Sequence, residues 1–598
     1  MYKLRTPKVF FLGRATYSLG SGSLQKNSPV LTSNSKVTSF TIRSPEAVMS
    51  ARNAIALSLA LSTLALLAGC GSGGGPAQAI APPSGSFSKS NLNGNYVFSV
   101  LGSDADGAPY AVVGVVSANG NGGITGGTID INDSLFTPGF GLSVGGNGTY
   151  SVGVDGRGKM NINTTTANPF ANFGNGAMEF DFVLSTSFHG LITEFDGNGT
   201  SSGTLDQQTA GLTQASLAGS YAFSFSGISE LTETQIIPFG TVGGFTIDSN
   251  GIITAGAEDF NNDGVAQTNA GLSGQVTLGP SSSPATTLVT TPFGTLTFDV
   301  FAIDSTHLKF IEFDSAPMLS GDAFSQTSSS ISGNLAYTLV GDFSGNIVAA
   351  GGILVTDGVS AITSGSEDYN SGGAPSLPSA PLEFTGSYTS SGSLITGRYQ
   401  MTLNSPFFAG SLYAAYPSSG GLLLLEVDGL GGLMSGAAYT QSTTTFGATA
   451  QGYGLNFSGD NLTNEVEVDD IAEFTAGTAS SGAGTLTNGI IDENYNGAAP
   501  PTYGAALTDG TYSALDSTGR YELSADAAAT LNGGFGITFY TVDGNTFPFI
   551  ESDTNGQVST GVFVLQNAAA TAPLVATRSH MLVPRPLVRA RSLHRKQK

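Results

Sequence analysis

Tryptophan is absent from this sequence, cysteine occurs once, at position 70, and histidine four times. A single cysteine rules out an intramolecular disulfide, so any folded unit must be stable through its core alone. Between residues 71 and 566 the only histidines are His189 and His307, too few with the one cysteine to build a zinc site. Neither accompanies a serine in a strand-to-helix elbow, so Ser-His-Asp hydrolysis has no support. Both are expected as exposed turn residues. No Gly-rich loop opens a helix, which excludes the usual phosphate cradle. Without tryptophan, a sugar-stacking platform would have to use residues such as Tyr369 or Tyr495.

Positive charge is equally scarce. Residues 71–566 contain only Lys89, Arg157, Lys159, Lys309, Arg398 and Arg520 against 43 acidic residues, a net charge near −37. Such a body repels nucleic acid and anionic lipid, and the simplest consequence is solubility. The remaining bases lie at the two ends. Eight precede residue 71, and seven follow Gln566 in a proline-containing stretch, 567–598, that reads as a basic disordered tail.

What is abundant is glycine, 83 residues, about twice the average share, together with Ser, Thr and Asn between short apolar runs. At 598 residues the chain predicts several domains. The pattern [Ile/Leu]-Thr-x-Gly-x-x-Asp-x-Asn occurs four times, ending at Asp130/Asn132, Asp259/Asn261, Asp368/Asn370 and Asp492/Asn494. Each is followed by Glu-x-Asp, at Glu194/Asp196, Glu312/Asp314, Glu426/Asp428 and Glu551/Asp553. Gly-x4-Gln then closes each unit, at Gly203–Gln208, Gly321–Gln326, Gly436–Gln441 and Gly561–Gln566. The fixed order defines four repeats, expected at 91–208, 216–326, 330–441 and 445–566.

Tyr96-Val-Phe98-Ser-Val100 alternates as a half-buried strand does, and Asp248-Ser-Asn-Gly251 is a hairpin-type turn. Each repeat therefore predicts an all-β module of seven or eight antiparallel strands. An up-and-down barrel, loosely similar to the lipocalin or avidin architecture, fits the meandering order; a β-sandwich and a β-propeller are the alternatives.

From Met49 the chain reads as an export signal: Arg52, then an uncharged, mostly apolar run over 54–68, shorter than a bilayer span. Leu67-Ala68-Gly69-Cys70 resembles the lipobox of bacterial lipoproteins. The resemblance implies cleavage before Cys70, acylation of that cysteine and anchoring in the cell envelope. Gly71 leans toward the outer membrane of a Gram-negative cell. Residues 1–48 fit no such signal and read as an over-extended start, disordered. The signal peptide then spans 49–69 and a flexible tether 70–90. The whole resembles repeat-containing lipoproteins of unassigned function.

Two patterns could carry chemistry. Asp259-Phe-Asn261-Asn-Asp263-Gly264 resembles the start of a calcium loop, although Ala270 stands where the closing acid belongs. Otherwise no cofactor is implied, and Asp-x-Asn is expected chiefly as turn chemistry. The Glu-x-Asp carboxylates are expected on the wet face of a strand, with Arg157, Arg398 or Arg520 paired to them. The expectation for function is a non-enzymatic, membrane-anchored spacer, adhesion or ligand-binding protein with an unknown surface ligand and no nucleic-acid partner. A small-ligand carrier with barrel pockets and a secreted hydrolase using paired carboxylates are the alternatives.

Overall fold

The computed structural model describes residues 77–136, 138–165, 177–231, 236–279, 285–291, 294–314, 317–326, 331–392, 394–408, 410–430, 432–496 and 500–570. The expected signal peptide (49–69), Cys70, residues 1–48 and residues 571–598 of the expected tail lie outside the described residues. The chain divides into two compact units, Met1–Gly73 and Gly74–Lys598, and everything that follows concerns the second.

In the first repeat the strands are β1 (Asn93–Asp104), β2 (Pro109–Asn119), β3 (Gly123–Asp133), β4 (Gly139–Val144), β5 (Gly148–Tyr150), β6 (Arg157–Asn163), β7 (Ala177–Leu184), β8 (His189–Glu194) and β9 (Gly199–Gln207). All neighbours are antiparallel. β1 pairs with both β2 and β9, and β3 with β2 and β5, so the sheet closes on itself through eight strands. β4 is a ninth strand hydrogen-bonded to the second half of β3. The other three repeats have the same order and the same closing pairs, within Gly219–Ser325, Gly333–Thr440 and Gln451–Leu565. Of the three architectures left open by the sequence, the chain adopts the barrel. Closure removes the exposed strand edges that an open sheet of this length would present.

Local chemistry explains the turns. The Asp248 carboxylate accepts the N–H groups of Asn250 and Ile252, and Gly251 takes φ 86°. The glycine of Gly-x4-Gln has a different cause. A Cβ there would stand 1.6 Å from Ser99 O at Gly203, 2.1 Å from Ser224 O at Gly321, and 2.0 Å from Thr338 O and Asn456 O at Gly436 and Gly561. The last strand of each barrel thus lies against the first too closely for any side chain.

The barrels are filled. Phe98, Phe180 and Phe182 occupy the first and Phe223, Phe225, Phe298 and Phe310 the second, all buried. In the fourth, Phe446 sits edge-on to Phe539, Phe547 and Phe563, with centroids 4.9–5.7 Å apart. Phe446 precedes its first strand, as do Phe87, Leu217 and Ile331, and each belongs to the core of its barrel. The outer faces are also buried in part. Val97, Ala111, Val113 and Val115 pack on Phe301, Ile303 and Ile311 of the second barrel. This second buried face is why the strands show less polar alternation than a free barrel would.

Candidate functional site: the seams between barrels

The repeated polar residues meet between barrels. Asn132 Nδ2 donates to Glu312 O at 2.8 Å; Asn261 to Glu426 O and Gly432 O at 3.0 and 2.8 Å; Asn370 to Glu551 O and Gln557 O at 3.2 and 2.8 Å. Each asparagine therefore reaches the Glu-x-Asp turn of the next barrel. The fourth reaches back to the first: Asn494 Nδ2 donates to Glu194 O and Gly199 O at 2.8 and 2.9 Å.

The closing glutamine repeats this circuit. Gln208 Nε2 donates to Ala302 O, Gln326 to Thr396 O, and Gln441 to Thr518 O and Thr541 O, over 2.8–3.0 Å. Gln566 donates to Asp155 O and Leu184 O of the first barrel at 2.6 and 3.1 Å. The backbone agrees: Thr209 N–H to Ile303 O, Ser442 N–H to Val542 O, and Asn567 N–H to Ser185 O. The four barrels thus close head to tail, and the 4→1 seam uses the groups that serve the other three.

The arginines complete three seams. Arg398 binds Asp259 through Nε at 2.7 Å and through Nη2, and Tyr416 Oη donates to the same carboxylate. Arg520 grips Asp368 at 3.0 and 2.6 Å, with Tyr540 Oη at 3.1 Å. Arg157 Nη1 lies 2.6 Å from Asp492 Oδ2. These arginines were expected to pair with Glu-x-Asp. They pair instead with the Asp of Asp-x-Asn in the preceding barrel, because the sheet packing brings the turn before β6 and its equivalents against β3 and its equivalents. Both partners are buried, and the planar guanidinium satisfies both carboxylate oxygens at Asp368.

The Glu-x-Asp acids are not on a wet face. Glu194, Glu312, Glu426 and Glu551 are each 0% exposed. Glu194, Glu312 and Glu426 share the inward face of their strands with Ile192, Phe310 and Leu424 of the barrel cores, while the alternate residues Leu191, Ile311 and Leu425 face a neighbouring barrel. Burial pushes the Glu312 carboxyl up to about 10 and, with the nearby Asp428 and Asp553 charges, Glu426 and Glu551 up to about 8. Burial raises Glu194 well above the usual range as well. The aspartates are turn caps that also bind the adjacent strand. Asp196 accepts Glu179 N–H and Asn198 N–H, Asp428 accepts Leu412 N–H and Leu430 N–H, and Asp553 accepts Gly536 N–H and Asn555 N–H. Asp314 accepts Thr297 N–H at 2.7 Å.

The calcium-loop residues part company. Asp259 faces Arg398, Asn261 donates into the third barrel and accepts Gly264 N–H at 2.8 Å, and Asp263 is exposed with φ 47°. Among the described residues, no group of three or more His, Cys, Asp or Glu stands in metal-holding geometry.

The histidines differ from expectation too. His189 and His307 are 3% and 6% exposed, and their rings lie 2.7 and 2.6 Å from Asp206 and Asp322. Between these pairs Lys309 of the second barrel binds Asp322 of its own barrel at 3.0 Å and crosses the 1→2 seam to Ser99 and Thr204 at 2.9 and 2.8 Å. Opposite charges hold the Asp206 and Asp322 carboxyls below the usual range in spite of their burial. The sequence offers one signal of these seams: of the six Lys/Arg in the body, Arg157, Lys309, Arg398 and Arg520 bind across a seam, and Lys159 lies 4.2 Å from the ring centroid of Tyr503 in the fourth barrel. Others gave no signal, such as Glu367, buried in the third barrel with Tyr337 Oη at 3.0 Å.

No protein-family model matches the chain, and no curated protein does. Among solved structures it is similar to the vaccine antigen Transferrin Binding Protein B from Haemophilus parasuis Hp5. For a single mutant the identity is 10% and the TM-score 0.18, over 80% of this chain and 96% of that one. For a double mutant they are 10% and 0.17, over 78% and 94%. Likeness at that level carries nothing from that protein to this chain.

Proposed function

We propose that this chain is an exported lipoprotein, acylated on Cys70, that displays a closed circuit of four β-barrels at the cell envelope as a non-enzymatic spacer, adhesion or ligand-binding body. The observation that carries this reading is the destination of the repeated residues. Asp-x-Asn, Gly-x4-Gln and the seam arginines are engaged in holding barrel to barrel, which leaves them a mechanical role. A rigid body of this kind suits display of outer loops, and several copies of one module can combine weak contacts into a strong one when geometry allows. The carrier alternative is disfavoured by the Phe-filled interiors. The hydrolase alternative gains the raised carboxyls it requires, but those acids are fully buried beneath the barrel walls, away from any substrate.

The test is metabolic labelling with a palmitate analogue, followed by fractionation and protease treatment of intact cells. Wild-type protein is expected to carry the label, sediment with membranes and be cleaved from outside. Cys70→Ser should lose both label and sedimentation. An unlabelled, soluble wild-type protein would sink the proposal.

A further inference from the structure

The 4→1 seam shares the motif contacts of the other three seams but not their apolar lining. In each barrel the residue opposite the Asp of Asp-x-Asn in register marks an equivalent position on the second strand: Val113, Val242, Gly351 and Ile471. Residues two and four places away share that strand face. On the first three barrels the positions hold Pro109, Ala111 and Val115, then Pro238, Gly240 and Gly244, then Ile347, Ala349 and Ile353. On the fourth they hold Glu467, Asp469 and Glu473, which are 6%, 0% and 0% exposed.

The first barrel has changed to match. Thr200 stands three residues before the glycine of Gly-x4-Gln, where the next three barrels have Met318, Leu433 and Val558. At the 2→3 seam Leu433 lies over Gly240, its Cδ2 3.4 Å from an atom placed at that Cβ. At the 3→4 seam Val558 shares an apolar cluster with Ala349. At the 4→1 seam Thr200 Oγ1 instead donates to Asp469 Oδ2 at 3.0 Å. Ser103 Oγ donates to Glu467, and Ser202 Oγ to Asn456 Oδ1 at 3.1 Å. Of the apolar lining, Ile471 remains, clustered with Val183 and Leu191.

Glu473 has no such donor. Neither of its carboxyl oxygens accepts a hydrogen bond among the described residues. The bases of the elements packed on its strand already serve other acids: Arg157 binds Asp155 and Asp492, Lys159 binds Glu179 and Asp181, and His189 binds Asp206. Arg520, the only base of its own repeat, is on Asp368 at the 3→4 seam. Its own strand adds the acids Glu467, Asp469 and Asp470. Burial, with the Asp155 charge and against that of Arg157, pushes the Glu473 carboxyl up to about 9. An ionised Glu473 would be a buried carboxylate without a donor, which is strongly unfavourable. The folded state therefore holds a proton here that the unfolded chain releases. The stability this contributes is fully present below pH ~4.5 and is lost as pH rises through about 9.

We propose that the 4→1 seam is a latch, the place where the circuit of barrels opens while the other three seams stay closed. The chain runs on from one barrel to the next at those three, whereas the fourth barrel and the first are not consecutive. Polar interfaces between domains also separate more readily than apolar ones. Opening hydrates Glu467, Asp469 and Glu473 and leaves a row of four barrels. Ionisation of Glu473 is the trigger.

The test uses the full-length protein in detergent, with spin labels at exposed side chains on either side of two seams. Leu135 and Leu531 report on the 4→1 seam, and Ile252 and Leu430 on the 2→3 seam. Distance distributions are read by double electron–electron resonance at pH ~7 and pH ~9.5, on either side of the Glu473 titration. At the higher pH a second, longer distance is expected for the first pair only, lost again on return to the lower pH. Glu473→Val, which copies Val115 of the first barrel, should remove it. Asp469→Ala with Thr200→Val, which copies Ala349 and Val558, should shrink that population. A single distance for the wild type at both pH values, an equal second population in Glu473→Val, or lengthening of both pairs together overturns the proposal.

Discussion

At the scale of single residues, the scarce bases of this protein are worth more than their number suggests. Arg520 and Asp368 are each 1% exposed, and removing the arginine would strand a buried carboxylate. Arg520→Ala is expected to lower unfolding free energy by about 3–5 kcal/mol, measured by urea titration. Replacing both partners by apolar residues of similar volume should recover most of that loss, because no charge is then left unpaired. The interior glutamates act in the opposite sense. Glu426 is raised from 4.5 to about 8, so the folded state holds a proton that the unfolded chain releases. Its contribution is fully present below pH ~4.5 and is lost as pH rises through about 8. Urea titrations between those limits should show stability falling in the wild type by more than in Glu426→Gln. Equal slopes would remove the glutamate from the account.

At the scale of elements, the landmarks of the repeat divide into those that shape a barrel and those that join barrels. Gly436 belongs to the first kind. A methyl group there would lie 2.0 Å from Thr338 O, so Gly436→Ala must push the first and last strands of the third barrel apart. A loss of about 1–3 kcal/mol is expected, with faster amide exchange concentrated in Leu335–Val340 and Met434–Tyr439. Exchange spread evenly over all four barrels would show the strain to be shared instead. Strands, turns and their antiparallel succession were legible in the sequence because period-2 apolar runs and Asp/Asn/Gly turns act locally, whereas barrel, sandwich and propeller were left open until the pairing of first and last strands decided for the barrel. The Glu-x-Asp glutamates, expected on a wet face, share the inward face of their strand, as Glu194 does with Ile192. His189 and His307, expected in exposed turns, lie on the outer face beside Leu191 and Phe324, which pack on another barrel. A strand's alternation marks which residues face its own core, but it carries no record of a second layer packed on the other side.

At the scale of the molecule, the first and last described stretches of the second unit, around Ala77–Phe87 and Asn567–Ala570, meet at one seam. Ala77 N–H bonds Gly504 O of the fourth barrel, Phe87 enters the core of the first, and Asn567 N–H bonds Ser185 O. Ala568 also lies within 4.0 Å of an atom placed at the Cβ of Gly85. Chain connectivity is therefore dispensable at any one seam. A circular permutant that joins residue 570 to residue 77 and opens the chain between Gln441 and Gln451 should fold to the same assembly, with a Tm within a few degrees of the parent. Calorimetry would check this. Four separate transitions, or failure of the permutant to fold, would show that the 4→1 seam does not hold as the other seams do.

The sequence by itself determined the count of repeats, their all-β character and their turn chemistry, because those depend on residues near one another in the chain. It also marked which polar residues recur. What they recur for was decided by the tertiary structure alone. Asn132 and Glu312, or Gln566 and Leu184, are brought together by the packing of one barrel on another. Nothing in local periodicity records which neighbour an outward-facing side chain will meet.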